Sequence, residues 1–162
     1  MAIWRDKILK VSDDLLSKPS REVEDINSKK ITDLKERLML VFEKYPKIQG
    51  LSAVQIGVLE RIAILRIKGE VFYIINPKIV KSFFSQKSIE SCASVDSKPF
   101  HYDYYTVRRP LFGKVEYTDE NGNRVSKWVG KKYIRLYAHE IDHMDGITIG
   151  NKGEFKICVE VH

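Results

Sequence analysis

His139-Glu140-Ile141-Asp142-His143 is an H-E-x-x-H pattern: two imidazoles four residues apart, with a carboxylate beside the first. On a helix such residues share one face with Cβ atoms ~5–6 Å apart, so both rings can reach one divalent cation. A bound cation lowers the pKa of a coordinated water toward ~7, and a carboxylate beside it can take the proton. The chemistry to expect is hydrolysis, with Glu140 as the general base. A pattern this short also fits a helix with two histidines at its surface or core edge and Glu140 as a solvated carboxylate. Histidine is scarce, however, with four in the chain and two of them in this motif.

A catalytic metal of this type usually takes a third protein ligand. The longer pattern H-E-x-x-H-x-x-G-x-x-H has its glycine at Gly146 but ends on Ile149, so the third ligand must come from elsewhere. Cys92, Cys158, His101, His162, Glu154 and Glu160 are the candidates. Cys158 lies in an alternating apolar tail and reads as a small buried hydrophobe. Cys92, in Glu90-Ser91-Cys92-Ala93-Ser94, fits either a thiolate exposed at a strand edge or turn or a buried thiol. Glu154 or Glu160 as third ligand would make the chain a metallopeptidase. From a different class comes a non-catalytic ribosome- or RNA-binding protein with a structural metal.

The elements that must position these residues are legible in the periodicity. Ile31, Leu34, Leu38, Val41, Phe42 and Tyr45 form the stripe of a helix with one buried face, capped by Ser28 or Thr32 and ended by Pro46. Arg61–Ile67 and Val71–Asn76 read as a hairpin across Lys68-Gly69-Glu70. Lys114–Tyr117 and Arg124–Trp128 read as a second, around Asp119-Glu120-Asn121-Gly122. From about Lys131 to Asp145 the pattern is again helical, stopped by Gly146, which places the H-E-x-x-H motif on a helix. Phe155–Val161 reads as a final strand. The fold class is α+β, one compact domain over residues 1–162 with antiparallel β-structure around the motif helix.

With 162 residues, 43% hydrophobic and 31% charged, the chain suits one globular domain. It lacks the ~18–20 apolar residues of a membrane span, and MAIWRDKILKVSDD lacks the apolar stretch of a secretory signal. A cytoplasmic monomer without membrane contact is expected. Two cysteines are too few for a disulfide framework. The net charge of +6 would allow contact with the ribosome, but Lys and Arg are spread along the chain, which reads as a solvated basic surface without specific nucleic-acid recognition. Phe100, Tyr102, Tyr104 and Tyr105 could stack bases or pack a loop or strand on the core.

Three segments resemble the motifs of the peptide deformylase family. Gly50-Leu51-Ser52-Ala53-Val54-Gln55 is similar to G-x-G-L-A-A-x-Q, Glu90-Ser91-Cys92-Ala93-Ser94 to E-G-C-L-S, and Ala138-His139-Glu140-Ile141-Asp142-His143 to Q-H-E-x-D-H. Their order and separations match, and Arg109-Pro110 followed by Val115, Tyr117, Asp119 and Gly122 resembles the family's hairpin. The resemblance implies a deformylase-like fold and hydrolysis of the N-formyl group from nascent formyl-methionyl peptides, releasing formate. It implies Cys92, His139 and His143 as ligands of ferrous iron, with zinc, nickel or cobalt as substitutes. Glu140 would move the proton, and Gln55 with the backbone N–H of Ala93 would donate to the formyl oxygen. Glu90 would pair with Arg109 to brace the cysteine loop.

Several positions depart from the family pattern. Ile48 stands where the first glycine belongs, Ser52 and Val54 replace other usual residues, and Ser91, Ala93 and Ala138 replace Gly, Leu and Gln. Ser91 requires a backbone without positive φ if strain is to be avoided. Leu136, Arg135 and Lys132 share the helix face of His139. The resemblance makes that wall, with Gly50 and Gln49, part of the pocket for the substrate's first side chain. The cations at 132 and 135 therefore raise the question of a different first residue, unless they snorkel to solvent.

Overall fold

The apolar stripe from Ile31 forms α1, Lys29–Lys44, in the computed structural model of the chain, which describes residues 7–10, 13–95 and 101–160 and all of their side chains except those of His101 and Glu160. Ser28 is its cap, its side chain accepting from the Ile31 N–H, so Thr32 is not needed for that purpose. The helix buries Ile31, Leu34, Leu38, Val41 and Phe42 in a cluster with Leu51, Ile62, Ile64 and Ile75 of the sheet. Burying a large aliphatic side chain contributes roughly 1.5–3 kcal/mol, so this packing, more than helix propensity, holds α1 in place. Leu38 has no exposed surface. Leu38→Ala is expected to cost ~2–5 kcal/mol, read as a lower urea midpoint at unchanged m-value.

The sheet consists of β1 (Gly50–Ser52), β2 (Ile62–Ile67), β3 (Glu70–Ser91), β4 (His101–Thr118), β5 (Arg124–Gly130) and β6 (Glu154–Glu160). All pairings are antiparallel, in the order β1-β2-β3-β4-β5, with β6 on β4. Both expected hairpins form. Lys68 and Gly69 have φ of 52° and 83°, the two positive values that a two-residue loop matched to strand twist requires. The β4–β5 turn is held by Asp119, whose carboxylate accepts from the N–H groups of Asn121 and Asn123.

Beyond the hairpin expectation, β3 continues past Asn76 and Pro77 to Ser91. Proline donates no ladder hydrogen bond, and the register with β4 shifts between Ile75 and Lys78, so Pro77 sits at the irregularity. This extension carries the chain across the molecule to Cys92. Ser91, paired with Tyr104, ends the strand without a positive φ, so serine in place of glycine carries no backbone strain.

The second long helix, α2, spans Lys131–Met144. Ile134, Tyr137 and Met144 pack with Ala63, Leu65, Ile74, Val115 and Tyr117 of the sheet. It stops as expected: Gly146 has φ 76°, and a Cβ there would lie 2.6 Å from the Ser17 carbonyl oxygen. A short α3, Ile149–Lys152, leads into β6.

The tail corrects one expectation. Cys158 is exposed rather than buried, because β6 is a border strand that, among the described residues, pairs with β4 alone, and residues 154–159 are all exposed. Phe100, Val161 and His162 lie outside the described residues. No helix among the described residues is long and apolar enough to cross a membrane.

Candidate metal centre

Cys92 follows β3 directly and is buried, and α2 presents His139 and His143 to it from one face. Cys92 Sγ lies 3.3 Å from His143 Nε2, which lies 3.2 Å from His139 Nε2, and all three atoms fall within 4.8 Å of one another. Two imidazole nitrogens and a thiol sulfur thus converge on one point. Tetrahedral coordination with bonds of ~2.0–2.1 Å to nitrogen and ~2.3 Å to sulfur spaces its ligands ~3.3–3.6 Å apart, so the donor set fits a divalent ion. Glu140 points the same way: its Oε2 is buried without a hydrogen-bond partner among the described residues, which leaves it free to accept a proton.

His139 is braced from behind. His139 Nδ1 donates to Glu90 Oε2 at 2.9 Å, which leaves the Nε2 lone pair for the site. Arg109 grips Glu90 with two hydrogen bonds of 2.8 Å and reaches Asp142 with its remaining nitrogen. Lys152 Nζ closes the chain on Asp142 at 2.8 Å. Burial would raise the Glu90 carboxyl, yet its hydrogen bonds from Arg109 and His139 hold it well below the usual carboxylate range. The Cys92 thiol likewise is raised by burial and more than compensated by His143 and His139, ending well below its ordinary value. The motif assigns Asp142 no role, although it lies between the two histidines. Only the fold shows that Arg109 ties it to the cysteine loop.

Glu140 sits against β1. A Cβ at Gly50 would come within 2.2 Å of Glu140 Oε1, so glycine there is what gives the carboxylate room. Burial pushes the Glu140 carboxyl up, opposed by the two histidines. Gln55, in the short turn Ala53–Ile56 after β1, has its amide oriented by Ser52, whose N–H and hydroxyl both donate to Gln55 Oε1. This turns Gln55 Nε2 toward Cys92 Sγ at 3.7 Å and Ser94 Oγ at 3.1 Å. Ala93, whose carbonyl accepts from Lys10 Nζ, adjoins the same space.

These groups open onto a 260 Å³ pocket that includes Gln49, Gly50, Arg135, Leu136, Tyr102 and Tyr104 in its walls. Lys132 is not among its lining residues. It lies two turns, ~10 Å, from His139 along the helix axis, beside the Tyr133 ring on a separate groove with Phe112 and Gly130. Tyr102, Tyr104 and Tyr105 are half-buried on β4, Tyr105 against Phe155, which is the strand-packing role. Glu154 is exposed and pairs with Lys156, outside the metal cluster. The side chains of His101 and Glu160, and all of His162, lie outside the described residues.

Residues 5–154 match the family model for polypeptide deformylase. A peptide deformylase of Finegoldia magna is 37% identical over 145 residues, covering 87% of this chain and 85% of that protein. The crystal structure of a peptide deformylase from Legionella pneumophila superposes with a TM-score of 0.79 at 31% identity, covering 90% of this chain and 84% of the other. One from Synechococcus elongatus, in complex with actinonin, gives 0.81 at 24% identity over 95% of this chain and 81% of that one, a likeness of fold.

Proposed function

This chain belongs to the polypeptide deformylase family, and from that premise we propose how its residues carry the reaction. It is a metal-dependent hydrolase that removes the N-formyl group from the terminal, formyl-methionyl residue of peptides and releases formate. The observation that carries the assignment of roles is the convergence of Cys92 Sγ, His139 Nε2 and His143 Nε2 beside a buried Glu140 oxygen that has no partner among the described residues.

Cys92, His139 and His143 hold the metal. Bound there, it supplies Lewis acidity toward the formyl carbonyl and lowers the pKa of water. Ferrous iron is the ion we assign to this thiolate and two imidazoles, a set that also accepts zinc, nickel or cobalt. With ferrous iron bound, the Cys92 thiolate would be open to oxidation by peroxide. Glu140 takes the proton of the attacking water and delivers it to the departing amine. Gln55 Nε2 and the Ala93 N–H donate to the formyl oxygen as negative charge develops, and losing one such donor typically costs ~10²–10³ in rate. Arg109 and Glu90 keep Cys92 and α2 in register. Gly50, Gln49, Arg135 and Leu136 border the substrate's first residue. The chain works as one catalytic domain over 1–162, a cytoplasmic monomer whose basic surface permits contact with the ribosome.

Formate release from formyl-Met-Ala-Ser by anaerobically prepared ferrous protein tests this reading. Cys92→Ser should lose most of its metal and its turnover together, measured by metal analysis and formate assay. A Cys92→Ser protein with full metal content would instead place the third ligand elsewhere. Gly50→Ala is expected to displace the Glu140 carboxylate and cost ~10²-fold in kcat, since misplacing a catalytic group by about 1 Å has effects of that size. Near-normal kcat in a folded Gly50→Ala protein would mean that Glu140 works from another position.

A further inference from the structure

The pocket beside the metal ligands has an unbalanced charge. Of the carboxylates that line it, Glu90 is engaged by Arg109 and His139, and Glu140 is buried behind Gly50. Arg135 lines the same pocket, half-buried, one helical turn before His139, and has no carboxylate partner among the described residues. Lys47 and the amide of Gln49 add further donors to the lining. A guanidinium presents parallel N–H groups in a fork that matches the two oxygens of a carboxylate, and a half-buried cation lacking a counter-ion favours an anion.

We propose that Arg135 binds a substrate carboxylate in this pocket, so that the enzyme favours N-formyl substrates bearing a negative charge close to the formyl group. The inference rests on the deformylase reading and adds a substrate class to it. The carboxylate has two sources: the side chain of an acidic first residue, or the free C-terminus of a short formyl peptide. Leu136 and Ile48 in the lining offer apolar surface to the rest of either.

Three substrates separate these cases with the metal-loaded enzyme: formyl-Met-Ala-Ser amide, which has no carboxylate; formyl-Glu-Ala-Ser amide; and formyl-Met-Ala with a free C-terminus. The expected result is that one carboxylate substrate exceeds the neutral amide in kcat/KM. Arg135→Met should lower that ratio ~10–100-fold, mostly through KM, because a contact made equally in ground and transition states acts on binding. Arg135→Lys should restore part of it, keeping the charge without the fork. A ratio unchanged by Arg135→Met, or a wild-type preference for the neutral amide over both acids, overturns the proposal. If no formyl peptide yields formate, the deformylase reading fails by itself, and calorimetry decides the pocket separately. Binding of Glu-Ala-Ser amide or Met-Ala above Met-Ala-Ser amide, abolished in Arg135→Met, sustains the carboxylate site, and equal binding of all three refutes it.

Discussion

Glu140→Gln is expected to lower kcat/KM for a formyl peptide by ~10²–10⁴-fold while leaving the bound metal in place, as formate assay and metal analysis of the same preparation would show. Glutamine keeps the size of the side chain in a site where the carboxylate is buried and Gly50 leaves it little clearance, so packing is preserved. The amide cannot accept the proton of the attacking water. Its effect therefore separates proton transfer from metal binding, the role we propose for Cys92, His139 and His143. Turnover within tenfold of the original would exclude Glu140 as the base.

Arg109→Met should destabilise the fold by ~3–5 kcal/mol and weaken metal binding ~10–100-fold. Arg109 is 1% exposed and holds two acidic partners, Glu90 at the end of β3 and Asp142 on α2. Removing the cation leaves Glu90, itself 3% exposed, as a buried charge without its main partner, and lets the carboxylate that orients His139 move. Because the penalty arises from the abandoned charge, Glu90→Gln added to Arg109→Met should cost clearly less than the sum of the two single changes. Urea midpoints for the four proteins and a metal titration of each check both parts. Additive costs would show that the pair contributes no coupling across the site.

What was legible from the residues was local. The stripe from Ile31 to Tyr45 marks α1, which ends one residue before Tyr45, and Lys68-Gly69 marks a tight hairpin, because side-chain period and turn φ depend only on a few neighbouring residues. The same reasoning placed His139 and His143 on one helix face. The motif likeness points to Cys92 as the expected third ligand, where the residue types alone leave six candidates. The path of β3 beyond Pro77 was not legible, since its pairing partner lies far along the chain in β4 and the register shifts at the proline. Cys158 departs from the expectation for the same reason: an alternating apolar strand is buried only if another element covers it, and no described residue covers β6 at the border of the sheet.

By itself the sequence determined the chemistry available: two imidazoles and a carboxylate at helical spacing, a thiol in a short polar segment and the family to which they point. Tertiary structure alone decided which charges remain uncommitted. It joined Arg109 to Asp142 as well as to Glu90, set Glu140 behind Gly50, and brought Arg135 but not Lys132 into the pocket wall. Helix spacing is settled by backbone hydrogen bonds four residues apart, whereas a side chain's partner is settled by which distant strand or helix packs against it.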